Sequence, residues 1–194
     1  MIMGRLILIR HGESEGNRDH TFTRTNDVPL TETGRRQVEA AGELIAARYA
    51  PVRIVSSPFH RARETAAILA HRLALAVDIE DGLRERSYGT LAGQPYASVR
   101  SCADYDPERY WLWCPPGGGE TLVAVATRAG AVLDRLARTT PEGDVVVVSH
   151  GAVMMALWQH VTGAWRAGRV SPNAGIVVVA HDAGRYADAV LLEP

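Results

Sequence analysis

The chain has 194 residues, 46% of them hydrophobic, and a formal net charge of −1 from 21 basic and 22 acidic side chains. That length suits one domain, burying about 70% of the surface its unfolded form would expose, so a single sizeable core is expected. The balanced charge lacks the positive excess that holds nucleic acid or an anionic membrane surface, and no apolar run is long enough to span a bilayer.

The opening MIMGRLILIRHG is too short an apolar run for a secretory leader, which makes the cytoplasm the expected compartment. Within it, residues 5–10 are β-branched and Leu-rich with no polar alternation, the pattern of a strand buried on both faces of a parallel sheet. Thr31 can cap a helix reaching about residue 49, with Val38, Ala41, Leu44 and Ile45 on one face. Residues 52–56 form a second strand. Ser57-Pro58 then offers a capping residue before a proline at the first helical position, starting a helix to about residue 73. A third strand is expected near 75–79. Residues 82–119 break the rhythm with Gly, Pro and aromatics and only a short helix around 95–111, so they read as an inserted lid within a single domain spanning 1–194. A helix over 121–138, a strand of four valines over 144–149 and a helix over 152–161 follow. Two closing strands, 176–181 and 185–192, join at Asp182-Ala183-Gly184. Strands alternating with helices predict a three-layer α/β/α fold with a mainly parallel sheet.

In such sheets the ligand crevice lies beyond the carboxyl ends of the strands. Two strands here end alike, at Arg10-His11-Gly12 and Ser149-His150-Gly151, so both histidines should face one crevice. Arg10 stands beside the first, and Arg61 falls in the first turn of the second helix, where free N–H groups also favour an anion. Two Arg and two His converging point to a phosphate-like ligand. Arg63 points away around the helix and reads as solvated or ion-paired. Glu13 reads as an ion-pairing or capping carboxylate, and Gly117-Gly118-Gly119 as a turn, since no Gly-Lys-Ser/Thr follows. His20, His60, His71, His160 and His181 read as surface or cap residues, His60 being the nearest to the crevice rim. Trp111 and Trp113 fit either a packed core or the wall of an apolar pocket. Cys102 and Cys114 form no zinc-like spacing and no disulfide framework.

RHGES, the following Asn17, Phe22, Thr23, Asp27-Val28, Leu30, Thr31 and Gly34, and the later blocks SSPFHRARETA, LRERSYGTLAG and VVVVSHG resemble, in order and spacing, the histidine phosphatase superfamily. The resemblance spans nearly the whole chain and lies with the branch that includes cofactor-dependent phosphoglycerate mutases. It implies that His11 is the nucleophile and that Arg10, Arg61, His150 and the neutral donor Asn17 hold the phosphoryl oxygens. Glu85 matches the acid/base carboxylate, and Thr23 and Tyr88 match substrate-binding positions. Such chemistry needs no metal and no cofactor, and its partner is a small phosphorylated substrate. A homodimer formed through the Val-rich closing strands is one reading of that edge; an edge covered by its own chain is the other.

Mutases of the family carry a longer insertion after the third block, with adjacent arginines for the phosphoglycerate carboxylate. Here residues 94–116 are short and offer Arg100 and Arg109 singly, and Arg24 stands where the mutases usually have Gly. The reading is therefore a phosphomonoesterase acting through a phosphohistidine intermediate. A phosphoglycerate mutase is the alternative, and a non-catalytic phospholigand-binding module the more remote one.

Overall fold

The computed structural model describes residues 4–165, 170–182 and 184–192. It is an α/β fold with a mixed, mostly parallel six-stranded sheet. Strand β1 (Gly4–Arg10) is followed by the single turn α1 (Glu15–Arg18), helix α2 (Glu32–Arg48), strand β2 (Pro51–Ser56), helix α3 (His60–Leu73) and strand β3 (Val77–Ile79). After a long segment with three short 3-10 turns come α4 (Leu122–Thr139), β4 (Asp144–Ser149), α5 (Gly151–Thr162), β5 (Ile176–Asp182) and β6 (Arg185–Leu192). The strand order is β3-β2-β4-β1-β5-β6; β3, β2, β4 and β1 pair in parallel, and β5 and β6 pair antiparallel at one edge.

The unalternating strands are explained by burial on two faces. Leu6, Leu8, Val145 and Val147 point toward α4 and α5, meeting Val125, Leu133 and Leu157. Ile7, Ile9, Val146 and Val148 point the other way, onto Val38 and Ile45 of α2 and Ala66 and Leu69 of α3. Each such side chain contributes about 1.5–3 kcal/mol when fully buried. The Thr31 hydroxyl caps α2 by accepting from the Gly34 N–H at 3.0 Å, and Thr121 caps α4 by accepting from Ala124 N–H at 3.0 Å.

Several boundaries move. Helix α3 begins at His60, with Phe59 rather than Ser57 as its flanking residue. The Ser57 hydroxyl is engaged elsewhere, bonding to His150, and Arg61 still falls in the first turn. The third strand shrinks to Val77–Ile79, and the short helix expected over 95–111 is only the 3-10 turn Tyr96–Ser101. The Asp182-Ala183-Gly184 turn falls in part outside the described residues, because Ala183 is not among them. No helix among the described residues is long and apolar enough to cross a membrane.

His181 is a correction. It was expected at the surface or at a cap, yet it is fully buried in β5 opposite Gly4, and burial pushes its imidazole pKa down. A side chain inside an otherwise valine-rich strand follows the sheet's alternation, whatever its polarity.

Candidate active site

Strands β1 and β4 pair with Arg10 opposite Ser149, so the residue after each strand is a histidine at the same height. The His11 N–H donates to the Ser149 carbonyl at 2.9 Å, and the two imidazoles meet edge to face with centroids 5.2 Å apart. The turn after β1 is tight. A Cβ on Gly12 would lie 2.4 Å from the Gly34 carbonyl oxygen, and one on Gly34 would lie 2.1 Å from that of Glu13, so glycines at both positions let α2 close against the histidine loop. The Glu13 carboxylate accepts from the Thr31 hydroxyl at 2.7 Å, so it supports the α2 cap that Thr31 makes.

His11 has a defined tautomer. Its Nδ1 lies 2.7 Å from the Gly12 carbonyl, which can only accept, so Nδ1 carries the proton and Nε2 keeps its lone pair. Arg61 Nε–H donates to that Nε2 at 3.1 Å. Burial, and then the charges of Arg61 and Arg10, hold the imidazole well below the usual histidine range, so the ring is neutral at pH 7.

His150 is fully buried beside His11 and also held well below its ordinary range, by burial first and then Arg61. Ser57 Oγ accepts from Phe59 N–H at 3.3 Å and is hydrogen-bonded to His150 Nε2 at 2.7 Å. Nδ1 of His150 is buried and has no partner. Arg10 Nε and Arg61 Nη1 are likewise buried without partners. Each unmet buried donor costs about 1–3 kcal/mol. The two guanidinium donors, on arginines whose pKa burial lowers and the nearby Glu85 charge raises, line the cavity and make a cradle suited to an anion.

The residues named from sequence come together around one cavity of about 830 Å³. Arg10, His11, Arg61 and Glu85 line one part of it, with Asn17, Thr23 and Tyr88 also on the wall. His150 stands behind His11 and is not itself a lining residue. Asn17 Oδ1 accepts from Ser14 N–H at 3.1 Å and from Asn173 Nδ2 at 3.0 Å, while its Nδ2 donates to the Tyr96 hydroxyl at 3.1 Å. Tyr88 stacks on Phe22 with centroids 4.1 Å apart. His60 does not line the cavity and lies 3.9 Å from Glu64. Arg63 is exposed, as expected.

Sequence reasoning missed the residues that hold others in place. Arg128 of α4 donates to the carbonyls of Gly82, Arg84 and Glu85 and pairs doubly with the Glu120 carboxylate at 2.9 Å. Glu120 in turn accepts from Ser87 N–H at 3.0 Å, so one ion pair fixes the main chain on both sides of Glu85. Arg86 is buried and donates to the carbonyls of Glu120 and Trp113. Asn173 bridges the His11 carbonyl, at 3.2 Å, to Asn17. No periodicity marks these positions; Arg128 reads in the sequence as one more charge on an amphipathic helix. Trp113 resolves both ways, being buried with Phe22 and Leu91 while also lining the cavity, whereas Trp111 stacks on Trp165 at 5.9 Å.

An α/β domain with two histidines and a pair of half-satisfied guanidiniums at the carboxyl end of its sheet is built to handle a phosphate-sized anion. The chain belongs to the histidine phosphatase superfamily (branch 1), which matches over residues 6–191. It is 31% identical over 182 residues to a metal-independent phosphoserine phosphatase of Arabidopsis thaliana, covering 90% of this chain and 75% of that one. It is 33% identical over 166 residues to glucosyl-3-phosphoglycerate phosphatase of Mycobacterium tuberculosis, covering 79% and 73%. A solved mycobacterial glucosyl-3-phosphoglycerate phosphatase complexed with VO3 superposes with a TM-score of 0.84 at 30% identity over 96% of each chain. Other relatives are longer: the match to a bifunctional protein of M. tuberculosis, 36% identical over 151 residues, spans 75% of this chain but only 41% of that protein.

Proposed function

We propose that the chain is a phosphomonoesterase working through a phosphohistidine at His11 on a small phosphorylated metabolite. The observation that carries this is the His11 tautomer: a neutral ring whose proton is tied to the Gly12 carbonyl, with its lone pair at Nε2 beside unpartnered donors of Arg10 and Arg61. Phosphoryl oxygens taken up by Arg10, Arg61, His150 and Asn17 draw the Arg61 guanidinium off Nε2 and bring phosphorus to the lone pair. The Nε2–P bond forms as the ester P–O bond breaks, and the departing alkoxide takes a proton from Glu85. Water then attacks phosphorus, giving its proton to Glu85. The N–P bond breaks, inorganic phosphate leaves, and both residues regain their starting states. Negative charge on the phosphoryl group is met by two guanidiniums, so the chemistry requires no metal ion.

Hydrolysis rather than mutase action is supported by the segment above the site, which we take as the lid. Arg100 and Arg109 are both exposed and neither lines the cavity, so residues 94–116 offer no pair of arginines to a phosphoglycerate carboxylate. Relatives named as phosphoserine and glucosyl-3-phosphoglycerate phosphatases support the same choice. The test is incubation with 3-phosphoglycerate plus bisphosphoglycerate, beside a panel of phosphate monoesters. Free phosphate should accumulate. Efficient formation of 2-phosphoglycerate with little free phosphate would make the chain a mutase, and tight binding of phosphomonoesters without turnover would make it a binding module.

A further inference from the structure

Five arginines line the cavity, and four have evident work. Arg10 and Arg61 face the phosphate position. Arg86 is used by the carbonyls of Glu120 and Trp113, and Arg84 is ion-paired with Asp81 at 2.8 Å and Glu120 at 3.7 Å. Arg24 is left. It has no hydrogen bond or ion pair among the described residues.

Its side chain is nevertheless not a loose surface arginine. It lies across Gly93, whose φ of +85° and missing Cβ make the seat: a Cβ there would fall 2.2 Å from Arg24 Nε and 2.7 Å from its Cγ. The seat is tied to the segment carrying Arg24, since Gly93 N–H donates to the Phe22 carbonyl at 2.6 Å and Phe22 N–H to the Gln94 carbonyl at 2.9 Å. The wall beside it is aromatic, with Phe22 packed between Tyr88 and Tyr96. A cavity of about 830 Å³ has room for a leaving group well beyond the phosphoryl centre.

We infer that Arg24, seated on Gly93, binds a second anionic group carried by the leaving alcohol, so that the preferred substrates are phosphomonoesters bearing a carboxylate or a further phosphate. This rests on the phosphatase reading above. It also gives a role to the residue that departs from the family's mutase pattern. The charge that Arg100 and Arg109 do not supply comes from Arg24, and an oxyanion is the natural partner for a free guanidinium fork.

The experiment compares matched pairs: 3-phosphoglycerate against glycerol 3-phosphate, and fructose 1,6-bisphosphate against fructose 6-phosphate. Values of kcat/KM are measured for the wild type, Arg24→Gln, Arg24→Lys and Gly93→Ala. The wild type should favour the anionic member of at least one pair by about tenfold at low ionic strength, the preference shrinking with salt because the guanidinium is exposed. The pair that shows it tells a carboxylate from a phosphate. Arg24→Gln should bring the ratio close to one through KM, Arg24→Lys should retain part of it, and Gly93→Ala should lose it although the charge remains. Ratios near one in both pairs for the wild type, or an unchanged ratio in Arg24→Gln, would overturn the inference. The same ratios read as Kd on the His11→Ala protein require no turnover. They decide the subsite even if no phosphate is released from any ester, an outcome that would instead overturn the phosphatase reading.

Discussion

Replacing Arg61 with methionine should improve the fold and ruin the enzyme. The guanidinium is 4% exposed, its Nη1 has no partner, and its Nε is given to a neutral ring rather than a carboxylate. Effective desolvation of a buried ion costs several kcal/mol, only part of which the charge of Glu85 recovers. Methionine fills a similar volume without that cost, so the protein should gain about 1–2 kcal/mol, read as a higher urea midpoint at unchanged m. Catalysis loses a donor that acts on the phosphoryl oxygens in the transition state, worth about 10²–10³ in kcat. A third consequence follows at His11. Arg61 is the second-largest cause of its lowered pKa, so the acid limb of kcat/KM should move to higher pH in the variant while burial still keeps it below the ordinary histidine value. The assay is 4-nitrophenyl phosphate hydrolysis across pH beside urea titration. A loss below tenfold, an unmoved acid limb or a destabilised protein would each refute the reasoning.

Glu85→Gln should slow an alkyl phosphate at least tenfold more than 4-nitrophenyl phosphate, whose leaving group hardly needs a proton; equal losses would remove Glu85 as the acid. Arg128→Gln should show the same selectivity in weaker form, about threefold, because it displaces Glu85 rather than removing it; a uniform loss with both esters would make Arg128 merely structural. Gly34→Ala places a Cβ 2.1 Å from the Glu13 carbonyl and should destabilise by about 2–3 kcal/mol in denaturant unfolding; a neutral effect would contradict the close packing of α2 on the histidine loop. His11 and His150 both have native pKa values far below the unfolded value of about 6.5, so the unfolded state takes up protons first as pH falls. Their contribution to stability is complete above that pH and is lost below it, by roughly 1.4 kcal/mol per pH unit for each ring. His11→Gln should therefore make the stability profile between pH 6 and 5 shallower by that amount, and an unchanged slope would mean that His11 is not buried neutral.

The strands that place the two histidines are legible because they are buried on both faces, which leaves unbroken apolar runs, and the helices because one apolar face and the Thr31 and Thr121 caps are local signals. What the sequence could not supply was register: that Arg10 lies opposite Ser149, and hence that two strand-His-Gly endings become one pair of rings, depends on the sheet. Helix α3 starts at His60 although Ser57 Oγ accepts from Phe59 N–H, and the second bond of that oxygen, to His150 across 93 positions, has no local signal. Arg128 and Asn173 are invisible for the same reason, since the carbonyls they hold lie 43 to 162 residues away. The seat of Arg24 depends on a contact with Gly93 between two segments far apart in the sequence.

The central claim is that His11 Nε2 takes the phosphoryl group. Rapid mixing with a phosphate ester labelled in phosphorus, stopped with alkaline denaturant, tests it most directly. The account predicts a labelled protein that is stable in base and labile in acid, with the label on a peptide containing His11 and none in His11→Ala. Turnover without label, or label that persists in His11→Ala, would contradict it.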